Sequence, residues 1–338
     1  MRRLFSSAIS CSNNDNSTGC MPDIALVVTV ANLIVATVTI FRDYPVERRQ
    51  QFFHSPLPYL FLAPQILIIA VFFIYPAAKA VYLSFMLEDP WGTSSIFVWF
   101  ENYQMLFESS EYLNSIGFTL MFAIVVSFLS LALALLLAVK ADNIIHGQGV
   151  YKVTLTWVYA VAPAIAGVIG AFLFNPHIGV FTELFAVVGW DFSFQTDPVD
   201  ATFALILVSV WKQVSVNFIY FLAGLQSISY AVKEAAMLDC ISDSKRFWTI
   251  TFPLLAPTGF FLLVINLTYS FFETFGVIDT MTNGGPGGGT TSLVYKVYRD
   301  GFVGADLGGS SAQSVVLLLL VLTLTFIQFR VVEKRVHY

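Results

Sequence analysis

One lysine stands in the middle of a long apolar stretch of this sequence. Lys212 lies about midway along residues 201–224, Asn217 follows five residues later, and Glu273 lies near the end of another apolar stretch, 254–278. An ionisable side chain at membrane depth is costly, so it indicates function unless it has a structural partner. The three residues are candidates for the lining of a translocation path, in which Lys212 would suit an anion. The alternatives are that Lys212 bonds to helix carbonyls or partner side chains, and that Glu273 packs against a neighbouring chain.

The residue types that usually perform catalysis or bind metals form no recognisable pattern here. The glycine-rich stretch 283–289 (NGGPGGG) lacks the Gly-Lys-Ser/Thr ending of a phosphate-binding loop. The four histidines are scattered along the chain. Of the three cysteines, Cys11 and Cys20 lie in a polar stretch without a nearby histidine, and Cys240 lies far from both. We therefore predict a protein that is not an enzyme and that binds no metal, cofactor or nucleic acid.

Six apolar stretches provide the elements that position these residues. The chain is 57% hydrophobic and 12% charged, against roughly 25% charged in an ordinary soluble domain. A bilayer core needs about 20 apolar residues of helix, and backbone polar groups in lipid must pair within their own segment. The composition and lengths therefore predict an all-α bundle of transmembrane helices, at about 58–83, 116–139, 150–174, 201–224, 254–278 and 311–329.

The basic residues between these stretches predict the orientation of the bundle. Eleven Lys and Arg lie in 42–49 just before the first stretch, in 140–152, in 225–253 and in the tail, whereas the alternate loops hold two, Lys296 and Arg299. Positively charged flanks stay in the cytoplasm. We therefore expect both ends of the six-helix core, including the C-terminus, to be cytoplasmic.

A shorter apolar stretch, residues 24–41, precedes the core. One interpretation is an extra span or signal anchor, which would place residues 1–23 outside. Another is that residues 1 to about 50 are translated upstream of the true start of the gene. A cleaved signal peptide fits less well, because Arg42, Asp43 and Tyr44 follow where a small-residue cleavage site is expected. The predicted organisation is an N-terminal extension, 1–51, and a membrane domain, 52–338.

The spacing of residues in the long loop 230–257 predicts a short amphipathic helix. Val232, Ala235, Ala236 and Asp239 recur every three or four residues and would form one small-residue face. Ser242 and Asp243 are suitable starts for a second helix. Small side chains allow a partner surface to approach closely, and Glu234 and Asp239 offer charge to a basic partner. The alternative is a loop that lies on the membrane surface.

Residues of this loop at fixed spacing resemble the EAA loop of ABC importer permeases: Glu234, Ala235, Ala236, Asp239, Cys240, Ile250 and Pro253. The family has Gly where Cys240 stands and Leu where Phe252 stands. The resemblance implies that the residues up to Asp239 form a helix that docks on an ATP-binding subunit, with a bend at Cys240. Glycine adopts a positive φ readily and cysteine only at a cost, so the departure at Cys240 predicts either strain or a rebuilt bend.

The resemblance extends from about Leu57 to the end of the chain, over residues 59–65, 159–176, 209–228, 271–286 and 293–302. Within the carbohydrate-uptake group these segments are similar to the first permease subunit of sn-glycerol-3-phosphate uptake systems. This similarity implies a bacterial inner-membrane complex with a second homologous permease, two ATP-binding subunits, a periplasmic substrate-binding protein and membrane lipid. The same machinery for a neutral sugar or oligosaccharide is the alternative. A further alternative is a seven-helix secondary transporter or receptor. A docking loop argues against this class, since a self-contained carrier has no use for one.

Overall fold

The computed structural model describes residues 57–88, 94–142, 148–239 and 242–333. All of them belong to the unit Phe53–Tyr338. The predicted N-terminal extension, with its apolar stretch at 24–41, lies outside the described residues.

The described residues are almost entirely helical. The α-helices are α1 Leu57–Ile69, α2 Tyr75–Leu83, α3 Glu101–Glu108, α4 Ser110–Asp142, α5 Gln148–Thr156, α6 Pro163–Leu173, α7 Val180–Val187, α8 Pro198–Ser227, α9 Tyr230–Asp239, α10 Asp243–Arg246, α11 Phe252–Thr268, α12 Phe275–Met281, α13 Leu293–Tyr298 and α14 Leu307–Glu333. Segments with π-helical bonding lie at Ala70–Ile74, Phe247–Thr251, Tyr269–Glu273 and Arg299–Val303, and a 3₁₀ turn lies at Trp157–Ala160. Strands β1 Met86–Glu88 and β2 Ser95–Phe97 pair antiparallel, with Met86 opposite Phe97.

The predicted membrane spans are confirmed as helices of sufficient length and apolar character. In the described residues, five such helices are Phe61–Leu83, Ser110–Asp142, Pro198–Ser227, Asp243–Glu273 and Leu307–Arg330. A sixth span is formed if the bent pair Gly149–Ala160 and Pro163–Leu173 is counted as one. The all-α bundle expected from the apolar stretches is therefore the observed fold class.

The third span differs from its prediction, because residues 150–174 do not form one straight helix. The two halves meet at an angle of 104°. Ala162, which precedes Pro163, is extended, with φ −63° and ψ 147°. The proline ring disfavours the α region for the residue before it and fits the first turn of a new helix. Pro163 therefore ends one half of the span and begins the other.

The fifth span also differs, because it begins earlier than residue 254. The helical path starts at Asp243, passes through the π-helical segment Phe247–Thr251 into α11, and reaches Glu273. Pro253 lies in the first turn of α11. The path breaks at Thr274, after which α12 packs against α6. The second half of the predicted loop 230–257 is therefore helical and continuous with α11.

Small residues allow α6 to approach its neighbours. Ala166 is fully buried, and a Cβ added at Gly170 would lie 2.6 Å from Val208 Cγ2. The Thr280 hydroxyl of α12 donates to the Ala164 carbonyl at 3.0 Å. Ala162, which lies just before the helix begins at Pro163, is exposed. Close backbone contact in membranes depends on such small side chains.

A polar network joins three spans. Asn266 of α11 donates to Asn217 Oδ1 of α8 at 2.7 Å and accepts from Asn217 Nδ2 at 3.1 Å. Ser130 of α4 donates to Asn266 Oδ1 at 2.8 Å, and all three residues are completely buried. A bilayer offers no water to polar groups, so each side chain must be satisfied by a neighbouring helix. The network therefore fixes the relative positions of α4, α8 and α11.

The substitution Asn266→Ala should destabilise the bundle by about 1–2 kcal/mol, because Asn217 and Ser130 lose their shared partner. The measurement is the midpoint of thermal unfolding of the purified protein in detergent. A matched control is Thr268→Val, which removes a hydroxyl that donates only to the Val264 carbonyl of its own helix. Equal midpoints for the two variants would contradict the role assigned to the network.

Candidate functional site

Helix α9 lies at the end of the bundle where α4 ends. The chain leaves α8 through Ile228, which is extended, and the Lys233 amide then bonds to the Ser229 carbonyl at 3.2 Å. The Lys233 ammonium donates to Asp142 Oδ2, on the last residue of α4, at 3.1 Å. This ion pair attaches the short helix to the membrane bundle.

The two faces of α9 differ in exposure. Ala236 is 4% exposed and faces the bundle together with Lys233. Tyr230 and Leu238 are 82% and 87% exposed, and Glu234 lies between them on the exposed side. Residues four apart share one helix face. Tyr230, Glu234 and Leu238 therefore form an exposed stripe, which we call the outer stripe of α9.

A pocket of about 220 Å³ separates α9 from the bundle. The structure brings Ala236 and Ile250 together in its lining, with Asp142 and Lys233 at its edge. Ala235 and Pro253 are exposed, and Asp239 ends α9. Cys240 lies outside the described residues, so strain or a rebuilt bend at this position stays a prediction. Arg246 closes α10 through a 2.7 Å ion pair with Asp243.

The sequence pattern did not distinguish the buried face of α9 from its exposed face. It placed Ala235 and Ala236 on one small-residue face, whereas the structure exposes Ala235 and buries Ala236. Adjacent residues are about 100° apart around a helix, so only one of them faces the bundle fully. The amphipathic pattern missed Tyr230 and Leu238 because an apolar side chain normally predicts burial. The exposure of these two residues is the signal that the tertiary structure adds.

The second candidate region surrounds Lys212, the fifteenth of thirty residues in α8. Its side chain is half-buried, and the ammonium nitrogen lies 5.4 Å from the centre of the Tyr269 ring. Glu273, one turn beyond Tyr269, is exposed and interacts electrostatically with Lys212. Among the described residues Lys212 donates no hydrogen bond, and no carboxylate oxygen lies within 4 Å of its ammonium nitrogen. A cation over an aromatic face is stabilised without losing its capacity to bind an anion.

Asn217 does not share the surroundings of Lys212. Five residues of helix rotate a side chain by about 140°, away from the original face. Asn217 is completely buried in the network with Asn266, where both ends of its amide are bonded. The structure therefore places Asn217 in a helix contact, away from Lys212. Tyr269, which the sequence analysis did not single out, contacts Lys212, and Glu273 lies one turn further along the same helical segment.

The glycine-rich stretch 283–289 forms a turn. Gly284, Gly287 and Gly288 have φ values of 75°, 60° and 77°, in the region that favours glycine. A Cβ at Gly284 would also lie 2.7 Å from the Tyr295 ring. The glycines are therefore required by the backbone. Among the described residues, no group of three or more His, Cys, Asp or Glu is placed to bind a metal ion.

Residues 154–338 match the protein family described as "Binding-protein-dependent transport system inner membrane component". The sn-glycerol-3-phosphate transport system permease protein UgpA of Brucella abortus biovar 1 (strain 9-941) is 50% identical over 282 residues, which cover 83% of this chain and 96% of that protein. The protein of the same name from Rhizobium meliloti (strain 1021) is 47% identical over 291 residues, covering 86% of this chain and 99% of that protein.

Solved structures show the same fold. A bacterial ABC transporter involved in the import of the acidic polysaccharide alginate aligns with a TM-score of 0.70 and 23% identity, over 83% of this chain and 96% of that chain. The alginate transporter in complex with an alginate pentasaccharide-bound periplasmic protein gives a TM-score of 0.69 over 81% and 93%. At this identity the likeness concerns the fold alone.

The faces of α9 predict different reactivities for introduced thiols. In protein whose Cys11, Cys20 and Cys240 are replaced by Ser, Leu238→Cys should react with a charged maleimide about tenfold faster than Ala236→Cys, because thiol reactivity follows exposure. The measurement is the labelling rate of purified protein in detergent, with urea-unfolded samples as the reference for full access. Equal rates in the folded protein would contradict the assignment of the two faces.

Proposed function

The chain belongs to the family of binding-protein-dependent transport system inner membrane components, and from this premise we propose that it imports sn-glycerol-3-phosphate as the permease subunit of an ABC importer. Its similarity to the sn-glycerol-3-phosphate permeases, along nearly their whole length, carries the proposal. A permease of this kind is a multi-pass protein of the inner membrane that depends on a substrate-binding protein.

We propose the following partners: a second homologous permease, two ATP-binding subunits and a periplasmic binding protein. The solved transporter of the same fold is described with a substrate-bound periplasmic protein, which supports the last of these. The first span has mostly exposed apolar side chains and would face lipid and the second permease. In this assembly ATP hydrolysis belongs to the ATP-binding subunits.

We propose that α9 and the C-terminus lie in the cytoplasm. The distribution of Lys and Arg supports this orientation, since the basic residues concentrate at the end of the bundle that carries α9. Among the residues of the connecting loops, Lys296 and Arg299 are the exceptions, and both form ion pairs with Glu111 and Asp300. Because neighbouring carboxylates compensate their charge, these two basic residues are compatible with an external location.

The outer stripe of α9 is the surface that we propose for docking on an ATP-binding subunit. Glu234 offers charge to a basic partner, while Tyr230 and Leu238 offer apolar area that the bundle leaves uncovered. Ala235 beside them allows close approach. Ala236, Ile250 and the pocket between them lie beneath the helix and would accommodate its displacement when the ATP-binding subunits close. Asp239 and Cys240 would form the end of the docking helix and its bend.

Lys212 is the residue that we propose to meet the phosphate of the substrate. Its ammonium sits at mid-span over an aromatic face, without a carboxylate in contact. An ammonium group at mid-span costs free energy, which the binding of a transported anion would offset. Glu273 moderates the positive field nearby. Together they would let an anion bind without being held too tightly to leave.

The direct test is uptake into proteoliposomes that contain the chain with its second permease and ATP-binding subunits. With ATP and the binding protein, labelled sn-glycerol-3-phosphate should accumulate and labelled maltose should not. Uptake of maltose instead would assign the complex to neutral sugars. Accumulation without ATP-binding subunits would point to a secondary transporter.

Replacing Lys212 by Met should lower kcat/KM for sn-glycerol-3-phosphate uptake about 10- to 100-fold, which is the loss of one charge-assisted contact of about 1.5–3 kcal/mol. Lys212→Arg keeps the charge and should retain most of the uptake. Stimulated ATP hydrolysis in both variants shows that the complex is intact. Unchanged uptake by the Met variant would remove Lys212 from the path.

Substitutions on the outer stripe should weaken assembly. Leu238→Asp loses the burial of a leucine at the interface, about 1.5–3 kcal/mol, and Glu234→Lys reverses the charge offered to a basic partner. We expect the co-purified ATP-binding subunit to fall about tenfold for Leu238→Asp. Glu108→Lys, an exposed acid at the far end of the bundle, is the control and should co-purify normally. Normal yields for all three variants would place docking elsewhere.

A further inference from the structure

Helix α4 carries an acidic residue near each end, and each pairs with a lysine from a different segment. Asp142, its last residue, pairs with Lys233 of α9 at 3.1 Å. Glu111, its second residue, pairs with Lys296 of α13 at 3.4 Å. At 1.5 Å per residue, the 33 residues of α4 span about 50 Å. The two pairs therefore lie on opposite sides of the membrane domain.

Asp142 occupies a position that is unfavourable for its own helix. The C-terminus of an α-helix carries partial negative charge, which repels a carboxylate. The compensating charge comes from Lys233, and the two side chains are only 21% and 31% exposed, so solvent screens them incompletely. Asp142 is unfavourable at the end of its own helix and is compensated by Lys233 of α9, so the pair links the two helices.

The opposite end of α4 joins a more extensive charge cluster. Lys296 is 8% exposed and contacts Asp300 at 3.0 Å as well as Glu111. Gln313 of α14 donates to Asp300 at 2.8 Å, and Arg299 lies 3.6 Å from Glu111. Glu111, whose side chain is 72% exposed, thus contacts a buried lysine of α13 that is also paired with Asp300.

Between its ends α4 is fixed to the bundle by a hydrogen bond and by helix packing. Ser130 bonds to Asn266, and α4 packs along α8. By contrast α9 has a pocket of about 220 Å³ beneath it. A displacement of α9 meets little resistance from packing, while the Lys233–Asp142 contact passes it to α4.

We propose that α4 is the rigid element that connects α9 to the opposite face of the bundle, with Lys233 and Asp142 as positioning residues at one end and Glu111 at the other. The proposal rests on the proposed function, in which ATP-binding subunits move α9. It assigns the transmission of that movement to a single continuous helix with charged contacts at both ends.

The experiment compares Asp142→Asn, Lys233→Gln and the swap of Asp142→Lys with Lys233→Asp in the reconstituted complex. The readout is the amount of sn-glycerol-3-phosphate transported per ATP hydrolysed. Each single variant should lower this ratio about fivefold or more, and the swap should recover much of it. The matched control is Lys140→Gln, since Lys140 is exposed in the same turn and forms no ion pair among the described residues. Its ratio should equal that of the unchanged protein.

A double-mutant cycle tests the two ends together. Glu111→Gln should lower the same ratio, and its combination with Asp142→Asn should be little worse than either change alone, because both interrupt one connection. Independent, multiplicative effects would overturn the connecting role of α4. An unchanged ratio in Lys233→Gln, which leaves α4 intact, would overturn it as well. Failure of the unchanged complex to transport sn-glycerol-3-phosphate would instead refute the proposed function.

Discussion

The hydrogen bonds among Ser130, Asn217 and Asn266 hold the centre of this protein together. In a bilayer an apolar side chain gains little by leaving lipid for another helix, so helix association depends on close packing and on polar groups that must be paired. One asparagine pair and one serine link α4, α8 and α11. The two halves of the bent third span pack on α8, and the small residues of α6 allow close approach there.

The requirement that polar groups in a bilayer be paired also applies to Lys212. Every polar side chain of the central network has its partner within the bundle, whereas Lys212, on the same α8, has an aromatic face and a more distant carboxylate. An incompletely compensated cation at this depth is costly unless a ligand or partner offsets it. This cost is the basis of the role that we propose for Lys212.

Charge also organises the ends of the bundle. Asp142 with Lys233 attaches α9 to one end of α4, and Glu111 with Lys296 adds an ion pair to the buried α13 at the other end. The membrane domain is thus held in its middle by neutral hydrogen bonds and at its faces by ion pairs. This arrangement suits a protein whose core must keep its shape while a surface helix is displaced.

The sequence by itself determined the fold class, because a span requires a long apolar run that no tertiary contact can supply, and the runs at residues 116–139, 201–224 and 311–329 are helices as predicted. The spacing from Glu234 to Pro253 likewise identified α9, although the roles of its residues stay predictions. The bend at Pro163 and the start of the fifth span at Asp243 needed the structure, since proline in a membrane helix is compatible with either a bend or continuity. Only the tertiary structure decided that Ala236 is buried while Leu238 is exposed, and that Asn217 pairs with Asn266 while Lys212 meets Tyr269. The reason is that the face a side chain presents depends on neighbours from distant parts of the chain, which local spacing does not specify.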